Sequence, residues 1–245
     1  GIVGSRRSID QKGFHDMSNK AKKARNVAAL SGGALVAAAP FASAGTAQAD
    51  AAIFHVTNTN DSGDGSLRKA IEDANATTDT DTIVFDAGAT GSIVLTSGQL
   101  AITESVSIEG PGASVLTVDG DDSSQVFYVY NSSTLISVSL SGLTITGGDS
   151  SYAGGIISWG ETLDLESLVI TGNVGDNAGG VQFYGAYKEP AQATLTIRNS
   201  TISGNTGDEG AGLSFIYSPN TTFSMVNSTF WPSVRLRKPS AWMAE

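Results

Sequence analysis

The sequence predicts an all-β fold, a right-handed parallel β-helix of three-strand coils, with an N-terminal capping segment that contains one short helix. Two observations carry this prediction. Short runs of alternating apolar residues recur about every thirty residues between positions 105 and 230. Each run is followed by a Gly-rich turn of similar sequence. Repeats of this length that contain only short strands are typical of β-solenoids, and the Leu/Asn pattern of the alternative, a leucine-rich repeat, is missing.

Composition and charge limit the possible functions. The 245 residues include 29 Gly and no Cys, so disulfides and thiolate chemistry are excluded. Residues 50–230 contain only four basic residues and carry a net charge of −17. Such a surface repels nucleic acid and anionic lipid, and no nucleic-acid partner is expected. The charge predicts solubility outside the cell or, alternatively, cation binding.

The start of the chain has the pattern of an export signal. Residues 17–49 combine a basic beginning, an uncharged Ala-rich stretch at 27–44 and a small-residue triplet at their end. This pattern predicts a secretory signal cleaved near Ala49-Asp50, and therefore a secreted or cell-surface protein. Residues 1–16 are expected to be an unstructured upstream extension. No later segment is apolar enough for a transmembrane helix.

Residues 50–104 are predicted to cap the solenoid, because an open first coil would template aggregation. Ser66 should cap a helix over Leu67–Ala74 that has one apolar face. Short apolar bursts predict four strands: Phe54–Val56, Ile83–Phe85, Ile93–Leu95 and Leu100–Ile102.

The repeats over 105–230 predict which side chains stack. Four copies align, at Val138–Ile145, Leu163–Ile170, Leu195–Ile202 and Phe223–Phe230, with a weaker copy at Val106–Ile108. Their first, third, sixth and eighth residues should point inward. Two interior columns follow, Ile145/Ile170/Ile202/Phe230 and Leu143/Leu168/Ser200/Ser228, with Asn173 over Asn205 at a turn. The third strands of the coils are predicted at Ile156–Trp159, Val181–Tyr184 and Leu213–Ile216.

The last residues, 231–245, are basic and lack the expected next turn. We expect an atypical tail, either truncated or frameshifted, that leaves the last coil open to self-association. Insertions at 185–193 and 218–220 are expected to form loops on one face, where solenoids often bind partners.

The stretch from Val56 to Ile71, with Gly65-Ser-Leu-Arg68 inside it, and Asp81-Thr-Ile-Val-Phe85 after it, resembles the CSLREA-type module that opens many secreted bacterial β-helix proteins. Gly65 stands where that module has its Cys. The coil repeats also resemble those of polymorphic outer-membrane proteins, within the pectin-lyase-like superfamily. The resemblance covers about residues 53–230. It implies secretion, surface exposure and adhesion.

Function is expected to be that of an adhesin-like or structural surface protein that binds a polysaccharide or another cell-surface ligand without catalysis. The alternative is a carbohydrate-active enzyme or carbohydrate-binding module of the pectin-lyase type. Lyase chemistry needs a base beside a cation site, but the coils offer only Lys188 and Arg198, with no carboxylate cluster identifiable beside either. Hydrolysis needs paired carboxylates with one raised pKa. No catalytic or cofactor-binding residue is predicted.

Several acidic and aromatic residues remain as candidates. Asp149, Asp176 and Asp208 follow equivalent strands and predict either a solvated ladder or a weak Ca²⁺ site. The cluster Asp119–Asp122 lacks calcium-loop spacing and predicts a turn, and His55 is expected to be structural. Six aromatic residues could form a sugar-binding face or simply pack: Tyr128, Tyr130, Trp159, Phe183, Tyr184 and Tyr217.

Overall fold

The computed structural model describes residues 51–185, 192–216 and 220–231, and the backbone alone of 234–237. Several predicted features lie outside the described residues: residues 1–49, the cleavage point before Asp50, Lys188, Tyr217 and residues 238–245 of the tail. Within the described residues, no helix is both long and apolar enough to cross a membrane.

The described chain forms six stacked coils after an opening strand and helix. The opening contains β1 (Ile53–Val56) and α1 (Leu67–Ala74). Coil 1 contains β2 (Asp81–Phe85), β3 (Gly91–Val94) and β4 (Leu100–Ile102), and coil 2 contains β5 (Val106–Glu109), β6 (Leu116–Asp119) and β7 (Phe127–Val129). Coil 3 contains β8 (Ser137–Ser141), β9 (Thr144–Thr146), β10 (Asp149–Ser150) and β11 (Ile156–Trp159). Coil 4 contains β12 (Thr162–Glu166), β13 (Val169–Thr171), β14 (Val174–Gly175) and β15 (Val181–Tyr184). Coil 5 contains β16 (Ala193–Arg198), β17 (Thr201–Ser203), β18 (Thr206–Gly207) and β19 (Leu213–Ile216), and coil 6 contains β20 (Thr221–Val226), β21 (Thr229–Trp231) and β22 (Val234–Arg237).

These strands form parallel sheets that run along the stack, so the predicted parallel β-solenoid is confirmed. Sheet 1 has the order β1-β2-β5-β8-β12-β16-β20, sheet 2 the order β3-β6-β9-β13-β17-β21, and sheet 3 the order β4-β7-β11-β15-β19-β22. A short fourth sheet, β10-β14-β18, runs only through coils 3 to 5 and was not predicted. The predicted capping segment 50–104 contains the first coil as well as the helix.

The predicted register is confirmed. Val106, Val138, Leu163, Leu195 and Phe223 stand in one column of sheet 1. The interior column Ile145/Ile170/Ile202/Phe230 is also in register, and its three isoleucines are fully buried. Burial of each such aliphatic side chain stabilises the fold by about 1.5–3 kcal/mol, so these columns are the main cohesive element of the solenoid.

Polar side chains that enter the core form hydrogen-bonded ladders. Asn173 Nδ2 donates to Asn205 Oδ1 at 2.9 Å, and Asn205 Nδ2 donates to the Ile170 carbonyl at 2.8 Å, which confirms the predicted amide ladder. In the column that ends in serines, the Leu168 amide donates to Ser200 Oγ at 3.1 Å. These bonds satisfy corner amides and explain why buried polar residues are tolerated there.

The backbone imposes two different requirements on the residues at the corners of the coils. The corner between sheets 1 and 2 has a left-handed residue at equivalent positions, and three of the four are not Gly: Gly142, Ser167, Asn199 and Asn227. The glycines that precede sheet 3 are required for a different reason, which is the close approach of neighbouring backbones. A Cβ on Gly180 would lie 2.4 Å from the carbonyl oxygen of Gly212, so the stacked backbones approach too closely for any side chain.

The opening helix is as predicted. It spans Leu67–Ala74, its apolar face is buried, and Ser66 Oγ accepts a hydrogen bond from the Lys69 amide at 3.2 Å. The helix packs against β1, β2 and β4, so it covers the start of the core. At the other end of the described solenoid, the last coil exposes three apolar side chains, Met225, Val226 and Trp231.

Candidate functional site

The main candidate site is a cleft of about 700 Å³ at the corner between sheets 3 and 1. It is lined by residues 103–105, which join coils 1 and 2, by residues 130–136, which join coils 2 and 3, and by Thr78. The next connection along the stack, between β11 and β12, contains only residues 160–161. The cleft therefore exists because the 130–136 connection is longer than its neighbours and stands out from the stack.

A buried carboxylate holds the 130–136 connection in place. Glu161 is fully buried. Its Oε1 accepts a hydrogen bond from the Asn131 amide at 2.9 Å, and its Oε2 accepts one from the Ile136 amide at 2.9 Å. One side chain thus clamps both ends of the loop with bonds to a charged acceptor, which are stronger than neutral ones.

Asn131 fixes the loop from within. Its Oδ1 accepts from the amides of Ser133 and Thr134 at 2.7 and 3.0 Å, which forms a tight local turn. Its Nδ2 donates to the Thr103 carbonyl at 2.8 Å and to Glu104 Oε1 at 3.3 Å. The two walls of the cleft are therefore joined, and the loop is held in one conformation.

The surface of the cleft is polar, with one aromatic ring. Ser132, Ser133 and Thr134 are exposed, and Glu104 is the one charged residue among the described lining residues. Tyr130 is 37% exposed and lies in the same lining. Hydroxyls, a carboxylate and an aromatic ring in one concavity form a surface that can bind a polar ligand with an apolar face.

Aromatic side chains continue from the cleft along the outer face of sheet 3. We call this group the aromatic strip; its members are Tyr128, Tyr130, Tyr152, Trp159 and Tyr184. Trp159 and Tyr184 stack in parallel with ring centroids 4.1 Å apart, and Tyr152 meets Trp159 edge-on at 5.5 Å. Tyr128 meets Tyr130 at 6.3 Å, which brings the strip to the cleft. Burial raises the pKa of Tyr184 to about 12, so its hydroxyl remains protonated.

One of the predicted aromatic candidates does not belong to this face. Phe183 is fully buried inside the solenoid, where it stacks on Phe215 with centroids 5.4 Å apart. Of the two roles that the sequence left open for Phe183, a sugar-binding face or packing, the structure shows packing. Strand alternation explains this, because Val181 and Phe183 belong to the main core, whereas Tyr184, on the other face of β15, belongs to a separate apolar cluster.

The three predicted calcium candidates are only partly brought together. The Asp208 amide donates to the Asp176 carbonyl at 3.1 Å, so these two residues are neighbours. Asp149 is instead in register with Val174, which lies two residues before Asp176. Within the described residues, no group of three or more His, Asp or Glu residues could hold a metal ion. Two aspartates supply few of the roughly six to eight oxygen ligands that Ca²⁺ takes.

Arg198 does have acidic partners, contrary to the sequence analysis. Its Nη2 lies 2.9 Å from Asp164 Oδ2 and 2.9 Å from Glu166 Oε2, on the outer face of sheet 1. These bonds lower the pKa of Glu166 and raise the pKa of Arg198. The arrangement keeps the Glu166 carboxyl ionised, which is the reverse of what a general acid needs.

The remaining acidic candidates have structural contacts. Asp119 Oδ1 accepts from the Asp121 amide at 3.0 Å, and Asp121 and Asp122 are left-handed, so the predicted turn is confirmed. His55 Nδ1 lies 2.8 Å from Asp86 Oδ1 on the exposed face beside β1. This partner was not predicted from the sequence, although Asp86 directly follows β2, the strand that pairs with β1.

The chain matches no protein-family model, and no curated protein is similar enough to count as a relative. The assignment that stands is therefore architectural: a parallel β-solenoid of six coils with a cleft on one corner.

Proposed function

We propose that the chain is an exported cell-surface solenoid that binds polysaccharide at the cleft and does not cleave it. The observation that carries the proposal is the composition of the cleft: exposed hydroxyls, one carboxylate and the half-exposed ring of Tyr130. A sugar ring offers hydroxyls to polar groups and a CH face to an aromatic ring, so the polar groups and the tyrosine could each contact the same sugar. Within the aromatic strip, Tyr152 is exposed like Tyr130, whereas Tyr184 is buried.

The proposal excludes hydrolysis because of how the carboxylates are placed. Glycoside hydrolases need two carboxyl groups that flank the scissile bond, one of them with a raised pKa. Glu104 is the one carboxylate among the lining residues that the structure describes. The pair on sheet 1, Asp164 and Glu166, is bound to Arg198, and the pKa of Glu166 is lowered. Neither place offers the acid that this chemistry requires.

Export and surface location rest on sequence patterns. Residues 17–49 have the pattern of a cleaved signal, and the stretch 56–85 resembles the CSLREA-type module of secreted bacterial solenoids. The repeats resemble those of polymorphic outer-membrane proteins, and they form parallel coils. N-terminal sequencing of the protein recovered from the cell exterior should begin at Asp50. An exported protein that still begins at Met17 would contradict this part of the proposal.

Binding is tested with a panel of soluble oligosaccharides by calorimetry. The matched variants are Tyr130→Ala, which removes the ring, and Tyr130→Phe, which keeps it. We expect Tyr130→Ala to weaken binding about ten-fold and Tyr130→Phe to retain most of it, since stacking on one aromatic ring contributes about 1 kcal/mol or more. Equal affinity of all three proteins would contradict the proposal.

The alternative function, a carbohydrate-active enzyme of the pectin-lyase type, is tested in the same samples. Incubation with each oligosaccharide, with and without Ca²⁺, should produce neither reducing ends nor unsaturated ends. The appearance of either product, and its loss on Glu104→Gln substitution, would replace the binding proposal with catalysis at the cleft.

A further inference from the structure

The charge of the cleft points to a particular class of sugar. In the described part of the lining, Glu104 is the one charged side chain, and its Oε1 accepts a hydrogen bond from Asn131 Nδ2 at 3.3 Å. Of the described residues, none donates to its second oxygen, Oε2. A half-satisfied carboxylate at the wall of a concavity attracts a cationic donor, because low-dielectric walls concentrate its field.

Among the described residues, no basic side chain lines the cleft to offset this charge. The structure describes three basic side chains besides His55, and each is already engaged by an acid: Arg68 with Asp61, Lys69 with Asp73, and Arg198 with Asp164 and Glu166. None of the three lines the cleft. An anionic ligand would therefore meet Glu104 without any compensating cation among the described lining residues.

A second carboxylate, that of Asp79, lies next to the cleft residue Thr78 in the sequence. Its Oδ2 is buried with no hydrogen-bond partner among the described residues. An unpaired buried oxygen of this kind is costly and is relieved by a nearby positive charge. The wider surface has the same sign, since residues 50–230 carry a net charge of −17.

We propose that the ligand of the cleft is an amino-sugar polysaccharide with protonated amines, such as glucosamine polymers, rather than a neutral glycan or a polyuronate. This inference rests on the proposed function and specifies its ligand. The ammonium group of one residue pairs with Glu104, and a neighbouring sugar ring stacks on Tyr130, where an aromatic face also favours a cation. Polyuronates, whose carboxylates face Glu104 directly, are excluded by like-charge repulsion.

The test compares three hexasaccharides of equal length: fully deacetylated chitohexaose, N-acetylated chitohexaose and a galacturonic acid hexamer. In calorimetric titrations, we expect the deacetylated hexamer to bind most tightly, the acetylated hexamer to bind more weakly, and the uronate hexamer not to bind. Glu104→Gln keeps the shape and the acceptor for Asn131, and it should weaken binding of the deacetylated hexamer about ten-fold while leaving the acetylated one unchanged. Added salt should weaken the binding of the deacetylated hexamer more than that of the acetylated hexamer.

The control variant is Glu109→Gln, which removes one exposed carboxylate from the face of sheet 1, away from the cleft lining. It should leave all three affinities unchanged. Equal loss with Glu104→Gln and Glu109→Gln would mean non-specific attraction to an acidic protein and would overturn the inference. Equal binding of acetylated and deacetylated hexamers would overturn it as well, while leaving the proposed function intact if Tyr130→Ala still weakens binding. No binding of any hexamer, with Tyr130→Ala indistinguishable from the wild type, would overturn the proposed function and this inference with it.

Discussion

The clamp at Glu161 allows a sharp test of how the cleft is built. Both carboxylate oxygens act only as acceptors, each from a backbone amide at 2.9 Å. In Glu161→Gln, one of these positions becomes an NH₂ group that faces the N–H of Asn131 or Ile136. One charge-assisted bond is lost and one buried donor is left unpaired, so we expect the free energy of unfolding to fall by about 3 kcal/mol.

The effect should also be local. Amide hydrogen exchange at Asn131 and Ile136 should accelerate strongly, while exchange at Ile145, which is buried in β9, should change only as much as global stability does. Oligosaccharide affinity should fall although Glu161 does not line the cleft. Glu109→Gln serves as the control for a lost exposed carboxylate. A loss below about 0.5 kcal/mol, with unchanged protection of both loop amides, would refute the clamp.

Three further predictions concern the stack itself. Gly180→Ala places a Cβ 2.4 Å from a facing carbonyl oxygen and should lower the stability by about 3 kcal/mol, or the melting temperature by about 6–12 °C, whereas Gly88→Ala, which meets nothing within 4 Å, should be neutral. Ser167, at φ +54°, should tolerate Gly but lose about 1–3 kcal/mol when replaced by Val, as measured by urea unfolding. Because Arg198 lowers the pKa of Glu166, their pairing stabilises the fold above the unfolded pKa of Glu166 and is lost as the pH falls through the folded value. The melting temperatures of wild type and Arg198→Met should therefore differ most near neutral pH and converge in acid.

The coil ladder could be predicted because its signal is periodic and local. Each copy brings the same inward positions to the same register, and Ile145, Ile170 and Ile202 stack as their spacing predicts. The amide pair Asn173 and Asn205 could be predicted for the same reason. The fourth sheet was missed because strands of two residues, such as β10, show no alternation.

The cleft could not be predicted, since it depends on a contact across coils that no pattern marks. Glu161 reaches Asn131, 30 residues earlier, from a connection of only two residues. The pairing of Arg198 was different, because the alignment that set Leu163 beside Leu195 already set Glu166 beside Arg198. The outward-facing residues of the repeats therefore carry the same register information as the inward-facing ones.

At the corner that carries the cleft, the residues that hold the stack together differ from those that form the cleft surface. Stacked strands determine the length and cohesion of the molecule, whereas the 130–136 connection rests against them through a few polar contacts. Substituting or grafting this connection should therefore change the surface of the cleft without a new fold, provided that acceptors for both of its ends are retained. A scaffold of this type allows the surface of one coil to change while the stacked strands are kept.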